Sequence, residues 1–374
     1  MLRDVVRIRV RLAWEDWRAG LRNPWWRATA VALFAGLVFV LATFGQYGLT
    51  VDEPIQHLYG QCLAKWYTSG FADRDALKVN NLYLYGGAFE VWPGLLDRAK
   101  GGLPIYALRH LMTALLGLVG VMGAIRLTHL LSGQARAAFF VAILLLLHPL
   151  WWGHTFINSK DTPFAVGYVW SLYYIARLVR RLPRFPLGLV IKLGLVLGWT
   201  MGVRVGGVVL YPIVGLGLVL GLGFAWRRRE LSLGAAMRLG AGLVVLIGVG
   251  SYAVMLAFWP WAQVRPLVNP WLAFQEAAKF RWNGEVAFGG GWVSANDLPW
   301  DYVPRLLAIQ TPEAWLLGLG LALVCMRTLW RSTGRRARIP LLLVVVAALL
   351  PVGFVMGTHA VLYDNLRHLL FVLP

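Results

Sequence analysis

Apolar runs of spanning length recur along the whole chain, and they constrain its fold more than any other feature. They lie near residues 28–49, 104–125, 137–153, 162–176, 185–203, 205–226, 239–259, 313–330 and 340–358. Each is close to the ~20 residues that an α-helix needs to cross ~30 Å of hydrocarbon. None shows the period-two alternation of a strand, and backbone in lipid must pair internally, so helices are implied. The expected fold is an all-α, polytopic membrane protein with about nine transmembrane helices. Composition agrees: 59% of the 374 residues are hydrophobic and 14% are charged, against roughly 25% charged in a soluble domain. Two cysteines, Cys62 and Cys325, make neither a disulfide framework nor a metal pattern.

The formal net charge of +19 suggests nucleic acid, but its distribution argues against that partner. With residue 1 in the cytoplasm, the inner segments are 1–27, 126–136, 177–192, 227–238 and 327–338. They carry 23 Lys and Arg against four acids (Asp4, Glu15, Asp16, Glu230), whereas the outer segments carry 13 of each sign. Lys and Arg collect on cytoplasmic loops. The basic excess therefore reports orientation and contact with lipid headgroups.

Residues 1–27 read as a cytoplasmic amphipathic helix lying on the membrane. Arg3, Arg7 and Arg11 recur every four residues, and Trp14, Trp17 and Leu21 supply apolar contact. A plain basic flank is the alternative. Residues 28–374 form the transmembrane domain, with two long outer loops at 50–103 and 260–312. Both mix Trp, Tyr, Gly, Pro and charge, while every inner connector is short and basic. Long structured loops are where sites tend to be. No internal repeat is evident, which weakens a reading as an inverted-repeat transporter.

Four clusters can carry chemistry, all on the outer side. Asp52-Glu53 follows the first span, and adjacent carboxylates beside lipid are costly unless solvated, paired or used. Asp52 also suits a helix N-cap with Pro54 behind it. His57 lies five residues on and can hydrogen-bond a donor substrate. The segment HTFINSKDTP packs Asn158, Lys160 and Asp161 into a short link. Lys160 suits a phosphate; Asp161 either orients a sugar, a metal or a basic residue, or caps the next helix. Arg204 stands between apolar runs in GVRVGG, where glycines permit close approach, and it either binds a ligand or snorkels to headgroups. Tyr363-Asp364-Asn365-Leu366-Arg367-His368 offers another phosphate-binding arginine and a proton donor. His57, His154, His368 and Glu53 have no spacing specific to a metal. Arg109, near the outer end of the second span, has the same ambiguity as Arg204 in a blander context.

Together with YGGAFE at 85–90, HPLWWGHTFINSKDTPF at 148–164 and FWPW at 258–261, these blocks resemble the membrane-embedded GT-C glycosyltransferases of the protein mannosyltransferase and aminoarabinose transferase type. The motifs spread over nearly the whole chain in the family's order. The resemblance implies a GT-C-like fold with an elaborated first outer loop. It implies a polyprenyl- or dolichyl-phosphate-linked sugar as donor substrate, an acceptor hydroxyl on protein, lipid or glycan, and inversion at the anomeric carbon. It carries the acceptor-activating role onto Asp52 with Glu53 in support. A second acidic position falls on Asp161. Lys160, Arg204 and Arg367 are then expected to hold the donor phosphate. His57, Asn158, Asp161, Asp364 and His368 are expected to orient substrate. No cofactor follows, although a divalent metal stays open. The family continues with further spans beyond YDNLRH, where this chain ends. The expected location is a bacterial inner membrane with the site outside. A flippase or transporter of a lipid-linked or anionic solute is the competing reading.

Overall fold

The computed structural model describes residues 22–97 and 102–374. The amphipathic helix expected over 1–27 thus falls mainly outside the described residues. The helices are α1 (Pro24–Thr43), α2 (Glu53–Thr68), α3 (Val91–Leu96), α4 (Ile105–Ser132), α5 (Ala135–Leu146), α6 (Pro149–Ile157), α7 (Asp161–Val179), α8 (Leu187–Val203), α9 (Leu210–Arg227) and α10 (Leu233–Ala257). Then come α11 (Pro260–Val264), α12 (Asn269–Ala278), the hairpin β1 (Glu285–Phe288) and β2 (Gly291–Ser294), α13 (Tyr302–Gln310), α14 (Glu313–Val324), α15 (Met326–Ser332) and α16 (Arg335–Gly357).

The chain is a polytopic membrane protein. Among the described residues, five helices are long and apolar enough to cross a membrane, and two bent pairs raise that to seven. The pairs are α5–α6, bent by 64°, and α13–α14, bent by 115°. Each bend falls just before a proline, Pro149 or Pro312, whose ring and missing N–H end the preceding helix. The expected nine included α7 and α8. Helix α8 has 17 residues. Helix α7 carries Asp161, Ser171, Arg177 and three tyrosines, and sixteen of its 19 residues are buried. It is polar because protein, not lipid, surrounds it. Helices α4, α8, α9 and α16 all pack on α7, and α10 packs on α8. By contrast α1 shows Val31, Phe34 and Leu41 on its surface, as a helix facing lipid should.

The two long loops expected on the outer side are folded rather than slack. Loop 50–103 holds α2, α3 and two 3-10 turns, and loop 260–312 holds α11, α12, the hairpin and α13. The hairpin pairs Glu285 with Ser294 and turns at Gly289-Gly290, both with positive φ, the conformation a two-residue turn demands. Helices α2 and α3 meet backbone to backbone, so a Cβ on Gly94 would run into the carbonyl of Gly60. The YGGAFE segment is pinned the same way. Gly87 N donates to Phe258 O at 2.8 Å, and Ala88 N donates to Gly202 O at 3.0 Å. Tyr59 Oη donates to Tyr85 O, and Trp259 Nε1 to Tyr83 O, both at 2.8 Å. Three motifs far apart in sequence, YGGAFE, GVRVGG and FWPW, therefore touch.

A Cβ on Gly86 would strike the Gly202 carbonyl, and neither backbone can yield cheaply. Gly86→Ala should lower stability by about 1–3 kcal/mol, read as a fall in the unfolding midpoint in detergent. Gly45→Ala, where nothing lies within 4 Å of the added carbon, should leave that midpoint nearly unchanged.

Candidate active site

Helix α8 ends at Val203, Arg204 takes an extended conformation, and a 3-10 turn over Val205–Val209 leads into α9. That tight turn aims Arg204 at the start of α7. There its guanidinium donates to Asp161 Oδ1. Asn158 holds the other side of the carboxylate: its Nδ2 donates to Asp161 Oδ2 at 2.8 Å. The Asn158 carbonyl oxygen in turn accepts from the backbone N–H of Asp161 at 2.8 Å and of Lys160 at 3.2 Å. Asn158, rather than Asp161, thus caps α7, and Asp161 is left to bind arginine.

Tyr85 lies beneath two cations. Lys160 Nζ sits 5.0 Å from its ring centroid, and the Arg204 guanidinium 5.9 Å, distances at which the ring face attracts positive charge. Lys160 has no ion-pair partner among the described residues. Burial, and then the charge of Arg204, push its ammonium below the ordinary lysine range, against the pull of Asp52, Asp161 and Glu90. An anion arriving here would relieve that cost.

Arg367 closes the cluster. It donates from Nη1 to Asp52 Oδ2 at 3.2 Å and to Asp364 Oδ2 at 3.1 Å, and it lies 4.6 Å over the Tyr363 ring. Its Nε has no partner among the described residues. Burial opposes its charge, but Asp161, Tyr363, Asp364 and Asp52 hold it protonated. Asp364 and Asn365 both have positive φ, a costly conformation outside glycine that bends the chain so that Arg367 faces inward. His368 is part-buried, and its buried Nδ1 is unpartnered among the described residues. Burial, reinforced by Arg204, Arg367 and Lys160 against Asp161, pushes it down to about 3, so its ring is neutral at ordinary pH.

The two adjacent carboxylates have different surroundings. Asp52 occupies the N-cap position of α2 but makes no capping bond, and its side chain is 50% exposed. Glu53 is buried. His110 Nε2 lies 2.7 Å from its Oε1, and Oε2 accepts from the N–H of Thr50 at 2.7 Å and its hydroxyl at 2.9 Å. Every oxygen of Glu53 is occupied, so this carboxylate locks the entry of α2 onto α4. His57 sits elsewhere, 3.8 Å from Asp97 and edge-on to Tyr106.

A second buried pair joins Arg109, which the sequence marked, to Glu90, which it did not. Arg109 is 1% exposed and donates to Glu90 Oε2 at 2.7 Å and to Ser159 Oγ at 3.1 Å. Ser159 donates to the other oxygen of Glu90. This pair ties YGGAFE to α4 and to the Asn158–Asp161 link. The available signal was physical: an arginine inside an apolar run has to find a carboxylate. Of the expected residues, the structure brings Asp52, Lys160, Asp161, Arg204, Asp364, Arg367 and His368 into one electrostatic neighbourhood, with Asn158 supporting it. Among the described residues no three His, Cys, Asp or Glu side chains group as metal ligands.

No protein-family model matches the chain, and no curated protein matches it. Among solved structures it is similar to the crystal structure of ArnT from Cupriavidus metallidurans bound to undecaprenyl phosphate. The TM-score is 0.59 at 20% sequence identity, covering 92% of this chain and 57% of the ArnT chain. ArnT is an aminoarabinose transferase of the GT-C family. The likeness establishes a GT-C-like fold, as the motif blocks implied. The chain spans little more than half the length of that relative.

Two outcomes test this description. Glu90→Gln should destabilise by about 3–5 kcal/mol by stranding a buried guanidinium, and Glu90→Gln with Arg109→Met should recover much of the loss, measured by thermal unfolding. The second concerns pH. Burial raises the Glu53 carboxyl, but the bonds from His110 and Thr50 outweigh it and leave it below its ordinary 4.5. Its stabilisation is therefore complete above that value and fades as pH falls through the folded value. The gap in unfolding midpoint between the wild-type chain and Glu53→Gln should be widest above pH 5 and shrink in acid.

Proposed function

We propose that the chain transfers a sugar from a polyprenyl-phosphate-linked donor to an acceptor hydroxyl at the outer face of a bacterial plasma membrane. The observation that carries this reading is Asp52: a half-exposed carboxylate, one oxygen free among the described residues, bridged by Arg367 to a cluster of phosphate-ready cations. The shared fold supports it, since ArnT is a lipid-phosphate-binding member of that fold.

The reaction is one displacement. Lys160, Arg204 and Arg367 hold the donor phosphate. Asp52 takes the proton from the acceptor hydroxyl as its oxygen forms a bond to the anomeric carbon. The bond from that carbon to the phosphate oxygen breaks, configuration inverts, and the lipid phosphate departs with the electron pair. Cations fixed at a low-dielectric boundary stabilise that charge most in the transition state. At rest, Arg367 divides itself between Asp52 and Asp364. A donor phosphate that engages Arg367 frees the Asp52 oxygen to act as base. Asp161 sets the pose of Arg204, and Glu53 holds Asp52 at the mouth of α2 without touching substrate.

Positioned proton transfer contributes about 10²–10⁴ in rate. Asp52→Asn should cost turnover by that much with donor affinity preserved. Lys160→Met should weaken donor binding and turnover together. Radiolabelled polyprenyl-phosphate sugar in proteoliposomes reads both: product formation supports transfer, whereas movement of intact donor across the bilayer would favour a flippase. Full transfer by Asp52→Asn would remove this assignment.

A further inference from the structure

At the opposite end of α7 from Asp161, three connectors enclose a cavity of about 330 Å³. Arg180, Arg181 and Arg184 reach it from the α7–α8 link, Arg228 from the end of α9, and Arg335 and Arg336 from the start of α16. Only one carboxylate lines it, Glu230, and that is already paired with Arg228 at 3.3 Å. Arg181, Arg184, Arg335 and Arg336 have no acidic partner among the described residues. Val179, Leu182, Phe224 and Ile339 add apolar lining.

So many like charges repel unless an anion joins them. Two of them stand in the first turn of α16, which has no acidic residue. That is the end of a helix where cations are disfavoured and anions favoured, because the backbone dipole and the free N–H groups are positive there. The cavity is at the small end of ligand pockets, a headgroup's size rather than a whole lipid's. Its position favours a lipid over a free ion. The 19 residues of α7 span about 28 Å at 1.5 Å per residue, close to the thickness of a hydrocarbon core. The arginines therefore lie at the far headgroup layer, beside apolar lining residues. Basic pockets between helix ends suit such lipids.

We propose that this cavity binds the headgroup of an anionic phospholipid, in the leaflet opposite the sugar-transfer site. Bound there, the lipid ties the α7–α8 link and α9 to the start of α16. The site is separate from the Asp52 cluster and stands whether or not sugar transfer is the activity.

The full chain in detergent, exchanged with cardiolipin, phosphatidylcholine or inorganic phosphate, is the test. Native mass spectrometry should show cardiolipin retained over phosphatidylcholine, with a rise in the unfolding midpoint. Arg335→Gln with Arg336→Gln, and separately Arg181→Gln with Arg184→Gln, should each weaken cardiolipin binding by about tenfold or more. Should the α16 pair fail to fold, the link pair decides. Arg335→Lys with Arg336→Lys should keep most of the binding. Equal retention of phosphatidylcholine, or undiminished cardiolipin binding in the glutamine variants, overturns the proposal. So does an equal rise in midpoint with inorganic phosphate at the same concentration, which would make this an anion site with no use for lipid.

Discussion

Asp161 and Arg204 stand at the ends of helices that pack side by side, and each is at the border of a region where an unpaired charge is expensive. Their ion pair does more than cancel two charges. It fixes the turn between α8 and α9 against the first turn of α7. The carbonyl of Gly202, two residues before Arg204, then receives Ala88 from the first outer loop. Tyr85, three residues earlier in that loop, slides under Lys160 and Arg204. The Glu90–Arg109–Ser159 network anchors the other end of the same segment. Residues 85–90 of that loop are thereby held to the helix ends, and α2, which Asp52 opens, packs on α3 just beyond them.

Much of this was legible in the sequence, because the features concerned are one-dimensional. Apolar run length and the residue types clustered at the ends of spans are properties of a string. What the string hides is direction. Successive residues at a helix start point about 100° apart, so Asp52 and Glu53, neighbours in sequence, face Arg367 and His110 respectively. Adjacency suggested a working pair, and geometry separates a solvated carboxylate from a structural one. Glu90 and Arg109 pair across 19 positions, and nothing local marks that partnership. The bends before Pro149 and Pro312 were within reach of sequence reading. Their angles were not, since packing sets them.

Helix α7 also explains why charge is arranged as it is. One end starts at a carboxylate held by arginine; the other runs into Arg180, which donates to the Leu130 carbonyl, and Arg181 and Arg184, which have no acidic partner among the described residues. Acid and base are balanced at the end that holds the Asp161–Arg204 pair. They are unbalanced at the end where the arginine-lined cavity lies. One buried, polar helix connects the two, which is possible only because its neighbours shield it from hydrocarbon.

Of the carboxylates near the cluster, most are excluded as a base by their own bonds. Glu53 is filled by His110 and Thr50, Glu90 by Arg109 and Ser159, and Asp161 by Arg204 and Asn158. A carboxylate whose two oxygens both accept strong bonds is held by its partners and is a weaker base for it. Two remain, Asp52 and Asp364, and both touch Arg367. They differ in what stands behind them. Asp364 rides on a strained turn and is 63% exposed. Asp52 opens a helix whose entry is locked by Glu53 and whose flank is pressed against α3 at Gly60 and Gly94. The displacement proposed above calls for a carboxylate that moves little, and of the two Asp52 is the better anchored.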